Sequence, residues 1–154
     1  MSEDPKPLAP GIAIAFQGIS AAFANEHPLF TELKPKPLRV GRGELAVEIT
    51  PTERFCDGDR ISSGLMTILL DTIMGMATWS DLENFKPLAT INLQTDTYDF
   101  ARPGKKIVCE AICEGIMDDV SIVRGKATSE GGRLLATAAG TFMVGTRSAR
   151  VSRI

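Results

Sequence analysis

Asp71 is the only charged residue in the longest apolar stretch of the chain, Ser62 to Trp79. Around it Gly64, Thr67, Asp71, Gly75 and Thr78 recur at spacings of three and four. On a helix that spacing makes one face, small and polar, with the carboxylate at its middle. A face of that kind admits close approach by another element. The carboxylate has two readings. In one it is structural, bonded to backbone or hydroxyl groups, with Thr67, Thr72 and Gly75 adjoining. In the other it is a base or a nucleophile. An unpaired carboxylate would cost several kcal/mol to bury, so something must answer it.

The elements that position Asp71 follow from the pattern on either side. Ser62 and Ser63 can cap a helix, and nothing inside the run breaks one outright, although Gly75 weakens it. Apolar residues lie nearly all the way round, which marks a buried helix. Upstream, Ile12, Phe16, Ile19 and Phe23 repeat every three or four between Gly11 and Glu26, the pattern of an amphipathic helix. The Asn25 to Pro28 region ends it, and the single histidine, His27, falls in that turn. Lys34-Pro35-Lys36-Pro37 reads as extended connection. Leu45, Val47 and Ile49 alternate as a strand, and residues 54–60 read as a loop into the central helix. Beyond the helix only strands are expected: Leu88–Phe100, Lys106–Met117, Val120–Thr128 and Leu134–Val144, with turns at Ala101–Gly104, Asp118-Asp119 and Ser129–Gly132. In the last strand Ala136, Ala138, Ala139 and Gly140 leave room for close packing. Strands segregated from one long helix make an α+β chain, with an antiparallel sheet wrapped around the central helix.

Composition sets limits on function. The 154 residues suffice for one domain with a real core. The net charge is −2 and the 17 basic residues are scattered, which points away from nucleic acid and anionic membranes. Asp71 in mid-run and the lack of a flanking basic cluster argue against a membrane span. Cys56, Cys109 and Cys113 are an odd, sparse set without CxxC spacing, as expected of reduced thiols in a cytoplasmic protein. Cys109 and Cys113 share one strand face and are expected to pack as small apolar residues. No metal and no cofactor is expected. The chain divides into a tail, amphipathic helix and connection over 1–42, one domain over 43–145, and a polar tail over 146–154.

Four segments together resemble a hot-dog fold thioesterase of the phenylacetate-degradation (PaaI-like) type, within the acyl-CoA thioesterase superfamily. They are Gly64-Leu65-Met66-Thr67-Ile68-Leu69-Leu70-Asp71, Ala89-Thr90-Ile91-Asn92-Leu93, Arg102-Pro103-Gly104, and the run from Gly132 to Phe142. The resemblance spans about Gly43 to Gly145. It implies a hot-dog fold, hydrolysis of an acyl-CoA thioester, and a homodimer or a dimer of dimers. The family pattern has an asparagine, a glycine, His-Gly-Gly and a carboxylate seven residues beyond the last glycine. Gly64 and Asp71 keep that last spacing, so Asp71 matches the catalytic carboxylate. The backbone N–H of Ser63, with Gly64 beside it, matches the oxyanion donor, and Thr90 matches a hydroxyl that helps hold the attacking water. The chain departs from the pattern elsewhere. Ser62 stands for the histidine, Ser63 for the first glycine of His-Gly-Gly, Cys56 for the asparagine and Asp59 for the glycine that follows it. Asp99 stands where a basic residue is frequent, and Asp118-Asp119 where a Gly-Arg pair is common. Cys56, Ser62, Thr67 and Met74 are the expected substrate contacts.

The chemistry asks for the same parts. Thioester hydrolysis needs a base or nucleophile and donors for the developing oxyanion. Asp71 can supply the first and the unpaired N–H groups of the helix start the second. Ser63 and Asp71 are eight residues apart, about 12 Å along one helix, too far to meet at one carbonyl. Two helices packed antiparallel would bring Asp71 of one copy to the helix start of another, so the expected site is shared across a two-fold axis. A hot-dog dehydratase would want a histidine, and His27 lies outside the resemblance. The alternative is a non-catalytic acyl- or CoA-binding protein, since Cys56, Ser62 and Ser63 replace the family's working loop.

Overall fold

The computed structural model describes residues 4–147. The elements in order are helix α1 (Pro10–Asn25), helix α2 (Pro28–Leu33), strands β1 (Lys36–Gly41) and β2 (Glu44–Ile49), and a single 3-10 turn (Glu53–Phe55). A two-residue hairpin follows, β3 (Cys56–Asp57) and β4 (Arg60–Ile61), then helix α3 (Ser63–Asp81). Four strands complete the fold: β5 (Leu88–Thr97), β6 (Ile107–Met117), β7 (Val120–Ser129) and β8 (Leu134–Val144). Of the polar tail expected over 146–154, residues 148–154 lie outside the described residues.

Six strands form one antiparallel sheet in the order β1-β2-β6-β7-β8-β5. Period-two alternation turns Cys109 and Ala111 of β6, Val123 and Ala127 of β7, and Ala136 and Phe142 of β8 inward, all at 2% exposure or less. The outer face carries cross-strand ion pairs, Lys126–Glu110 at 3.0 Å and Arg124–Glu114 at 2.9 Å. Asp118 and Asp119 sit at φ 49 and 63, the left-handed pair that a two-residue hairpin turn requires between β6 and β7. Burial pushes the Cys109 thiol up to about 12, and Cys113, half-buried, up to about 11.

Helix α3 lies across the inner face, with Leu69, Leu70, Met74 and Ala77 at 0% exposure. Its seating depends on two glycines. A Cβ on Gly125 would stand 3.1 Å from Met74 Sδ, and one on Gly140 would stand 3.0 Å from Met74 Cε and 2.9 Å from Asn92 O. The small residues of β8 thus leave a socket for Met74, which is a core residue between helix and sheet. Phe16 of α1 and Phe30 of α2 join the same core from the other side of α3.

Three features depart from expectation. β1 is a strand where extended connection was expected. It is an edge strand, and Pro37 sits at a register irregularity, where a missing N–H is tolerated. α2 is also additional: His27 Nδ1 accepts from the N–H groups of Leu29 (3.3 Å) and Phe30 (3.4 Å), capping a helix that Pro28 opens. Finally, α3 is not enclosed within one chain. The sheet covers one side and α1–α2 another, which leaves a strip with Ile68 at 49% exposure.

Candidate active site

The start of α3 is built by its cap. Ser62 Oγ accepts from Gly64 N–H at 3.2 Å, and Ser62 O accepts from Leu65 N–H at 3.1 Å. The Ser62 N–H donates to Phe55 O at 2.9 Å, which folds β3 and the partly buried Cys56 back beside the helix start. Ser63 N–H, the first of the helix, has no acceptor among the described residues. It is exposed and carries the positive end of the helix dipole. The Gly64 N–H, expected as its companion, already serves the cap. Ser62, expected at the substrate, accepts the capping bond with its Oγ.

Asp71 lies two turns on, partly buried. Thr90 Oγ1 donates to Asp71 Oδ1 at 3.0 Å, across 19 residues of chain. Asp71 Oδ2 has no hydrogen-bond partner among the described residues, so Thr90 holds one carboxylate oxygen and leaves the other unspent. Thr90 reaches this position from β5, opposite Phe142 of β8, just before the register shift between Thr90 and Asn92. Ile91, between the two, is 54% exposed on this edge strand. The hydroxyls of the same helix do not serve Asp71: Thr67 donates to Ser63 O at 3.3 Å and Thr72 to Ile68 O at 2.9 Å. Gly75 leaves space that Phe142 approaches, its Cε1 lying 3.7 Å from where a Cβ would stand. Thr78, the last of the stripe, is fully buried and pairs with Ser121 of β7 at 2.9 Å, so it belongs to the core.

The expected residues therefore fall into three groups. Cys56, Ser62, Ser63 and Gly64 gather at one end of α3. Asp71 and Thr90 meet near its middle, with Thr67 between the two groups. Met74 is enclosed in the core and reaches neither. A basic group not singled out from the sequence also stands at the helix start. Arg60, Arg102 and Arg133 line one hollow of about 190 Å3 with Asp99 and Phe100. Arg60 sits 5.1 Å over the Phe100 ring, Arg102 pairs with Asp59 at 3.0 Å, and Arg133 pairs with Asp99 at 3.1 Å. Arg133 thus brings a guanidinium to the place where Asp99 replaces an expected base. The signal was the aromatic–arginine clustering of residues 98–102, completed only by the distant Arg60 and Arg133. Among the described residues no cluster could hold a metal ion, and no helix is long and apolar enough to cross a membrane.

No protein-family model matches the chain, and no curated protein matches it. Solved structures do. The zebra fish thioesterase superfamily member 2 superposes with a TM-score of 0.76 at 18% identity, covering 86% of this chain and 97% of that one. The Escherichia coli PaaI protein, from the phenylacetic acid degradation operon, gives 0.75 at 16% identity, covering 87% and 95%. A Streptococcus mutans UA159 protein bound to acetyl CoA gives 0.67 at 16% identity, covering 74% and 91%. With a six-stranded antiparallel sheet packed on one long helix, and with these structures as its likenesses, the chain has the hot-dog fold.

Proposed function

We propose that the protein is an acyl-CoA thioesterase that works as a homodimer, with two antiparallel α3 helices sharing each active site. The observation that carries the reading is the Thr90–Asp71 hydrogen bond on the open side of α3, which orients a carboxylate and leaves Oδ2 unspent. A carboxylate held this way takes a proton from water, or attacks the thioester carbonyl to give an anhydride that water then opens. In either route the carbonyl oxygen gains negative charge. The Ser63 N–H of the second copy, free of any acceptor and aligned with the helix dipole, stabilises that charge. In the base route the C–S bond then breaks and the thiol leaves with the proton that Asp71 took from water. In the anhydride route the sulfur leaves as thiolate, and the water that opens the anhydride supplies its proton and returns Asp71 as the carboxylate. Within one copy the donor and the carboxylate are about 12 Å apart, so the two-fold pairing is a chemical requirement. The small stripe at Gly64, Thr67 and Gly75 and the exposed Ile68 suit the approach of a second helix. Arg60, Arg102 and Arg133, three guanidinium groups held by two carboxylates, Asp59 and Asp99, leave a modest positive excess in a hollow on the chain side leading into α3, where a phosphate-bearing carrier could extend. The acetyl CoA bound to the Streptococcus mutans structure supports coenzyme A as that carrier.

The test is thiol release from a panel of short-chain, long-chain and aromatic acyl-CoA esters, with wild type and Asp71→Asn side by side. Hydrolysis of some ester, with a loss of at least about a hundredfold in Asp71→Asn, is expected of a lost general base. Coenzyme A binding without turnover by the wild type would instead establish a non-catalytic binder. An equally fast mutant would make Asp71 structural.

A further inference from the structure

A cavity of about 340 Å3 lies between α3, the α1–α2 hairpin and strands β1 and β2. Its walls are apolar: Phe16, Phe23 and Phe30 on the hairpin side, Leu69, Ile73 and Met76 on α3. Phe23 and Phe30 stack with centroids 4.7 Å apart, so the hairpin presents a firm aromatic wall. The one α3 hydroxyl in the lining, Thr72, is spent on Ile68 O. No carboxylate lines the cavity, and its one charged residue is the exposed Lys34. The volume sits at the small end of ligand sites, room for roughly ten water-sized groups.

Its place on the helix matters more than its size. Leu69, Thr72, Ile73 and Met76 follow the three-four spacing of one face. Thr72 is the residue after Asp71, about 100° round the helix. Between the two faces runs the strip left open by one chain, with Ile68 49% exposed. An apolar group attached to a carbonyl at Asp71 would pass between Ile68 and the helix of the second copy, then by Thr72, to enter the cavity. We propose that this cavity is the acyl subsite, taking an uncharged aliphatic or arylalkyl acyl group of roughly ten non-hydrogen atoms. The proposal rests on the thioesterase reading and adds the substrate class. It also gives the α1–α2 hairpin a function: without it the acyl group would meet water instead of Phe16, Phe23 and Phe30.

Ser20 and Ala24 line the cavity from exposed positions of α1, so a large side chain there takes up cavity space while leaving the buried core residues Ile12 and Phe16 in place. Ser20→Trp and Ala24→Trp are compared with wild type on a ladder of acetyl-, butyryl-, octanoyl-, decanoyl- and palmitoyl-CoA. The wild type is expected to peak at octanoyl or decanoyl. At least one variant is expected to lose tenfold or more in kcat/KM there and at least fivefold less on acetyl-CoA, whose acyl group is too short to fill the cavity, with the melting temperature unchanged. A chain-length profile that neither variant alters, or a loss equal across the ladder, overturns the proposal. If no ester is hydrolysed, decanoic acid binding by calorimetry separates the two claims. Binding by the wild type that either variant abolishes upholds the cavity while the thioesterase reading fails. No binding by the wild type overturns the cavity as well.

Discussion

Replacing Thr90 with alanine tests whether the Asp71 carboxylate must be held to work. The bond to be removed is a hydroxyl donating to a carboxylate at 3.0 Å. Hydrogen bonds to charged groups are worth about 1.5–3 kcal/mol. This one is longer than the roughly 2.5–2.7 Å of the strongest hydroxyl–carboxylate bonds, and Thr90 is exposed, so the low end applies. About 1.5 kcal/mol corresponds to roughly a tenfold fall in kcat/KM. The loss should appear in kcat with KM unmoved, and Thr90→Ser should restore most of it. The assay is thiol release on the best ester of the panel, run as a double-mutant cycle with Asp71→Asn. Because Thr90 acts through Asp71, adding Thr90→Ala to Asp71→Asn should cost nothing further, so the coupling equals the whole single-mutant effect. Two results would refute this reasoning. Thr90→Ala within twofold of wild type would mean that the bond does not orient the carboxylate. Losses that multiply in the double mutant would give Thr90 a separate part, such as holding the water itself.

Further predictions concern the framework around that pair. Ser62→Ala removes the α3 cap and should cost about 1 kcal/mol, or roughly 2–4 °C in Tm for a chain of this size, while turnover survives, because the proposed donor is the Ser63 backbone. A tenfold loss of activity there would assign chemistry to the Ser62 hydroxyl. Gly140→Ala should destabilise by about 1–3 kcal/mol, read as a lower urea midpoint, because its Cβ would press on Asn92 O at 2.9 Å and Met74 Cε at 3.0 Å. An unchanged midpoint would mean that the helix shifts freely. Unfolded thiols ionise at 9.0, whereas burial holds Cys109 to about 12 and Cys113 to about 11. The folded chain therefore binds more protons in that window. Its stability is full below pH 9 and falls as pH rises above it, by about 1.4 kcal/mol per unit from Cys109 alone. Urea midpoints from pH 8 to 11 should fall less steeply in Cys109→Ala than in wild type.

What the sequence revealed about the site was a face, and what it concealed was the neighbours of that face. Helical spacing aligned Gly64, Thr67, Asp71, Gly75 and Thr78 correctly. Yet Thr78 is buried against Ser121 while Asp71 stays partly open, because strands far along the chain cover one end of the helix and not the other. Thr90 entered through its match to a family pattern, since no periodicity links it to Asp71. From sequence, Met74 belongs with Met66, Met76, Trp79 and Phe85 to a set able to line an acyl tunnel, while most of that set reads as core. Gly125 and Gly140, which decide its place, lie on two separate strands. The central strands were legible because burial on one face imposes alternation. β1 was not, because it is an edge strand with exposed Lys36, Pro37 and Leu38. α2 was hidden by its brevity and by a histidine cap in place of the usual serine, threonine, aspartate or asparagine. Of the cavity's lining the sequence pointed only to Met76, because five elements contribute its wall.

The sockets at Gly125 and Gly140 fix where Met74 rests, and with it how far α3 stands along the sheet. In a two-fold pair of antiparallel helices that setting counts twice. If each helix advances by one residue, about 1.5 Å, the donor of one copy and the carboxylate of the other move in opposite senses, and their separation changes by about 3 Å. Misplacement by about 1 Å can cost a hundredfold in rate. In the proposed dimer symmetry would thus act as a lever: two glycines that seat Met74 between helix and sheet would set the alignment of both reaction centres, and a slightly larger residue at either position would detune the pair before it unfolded the chain.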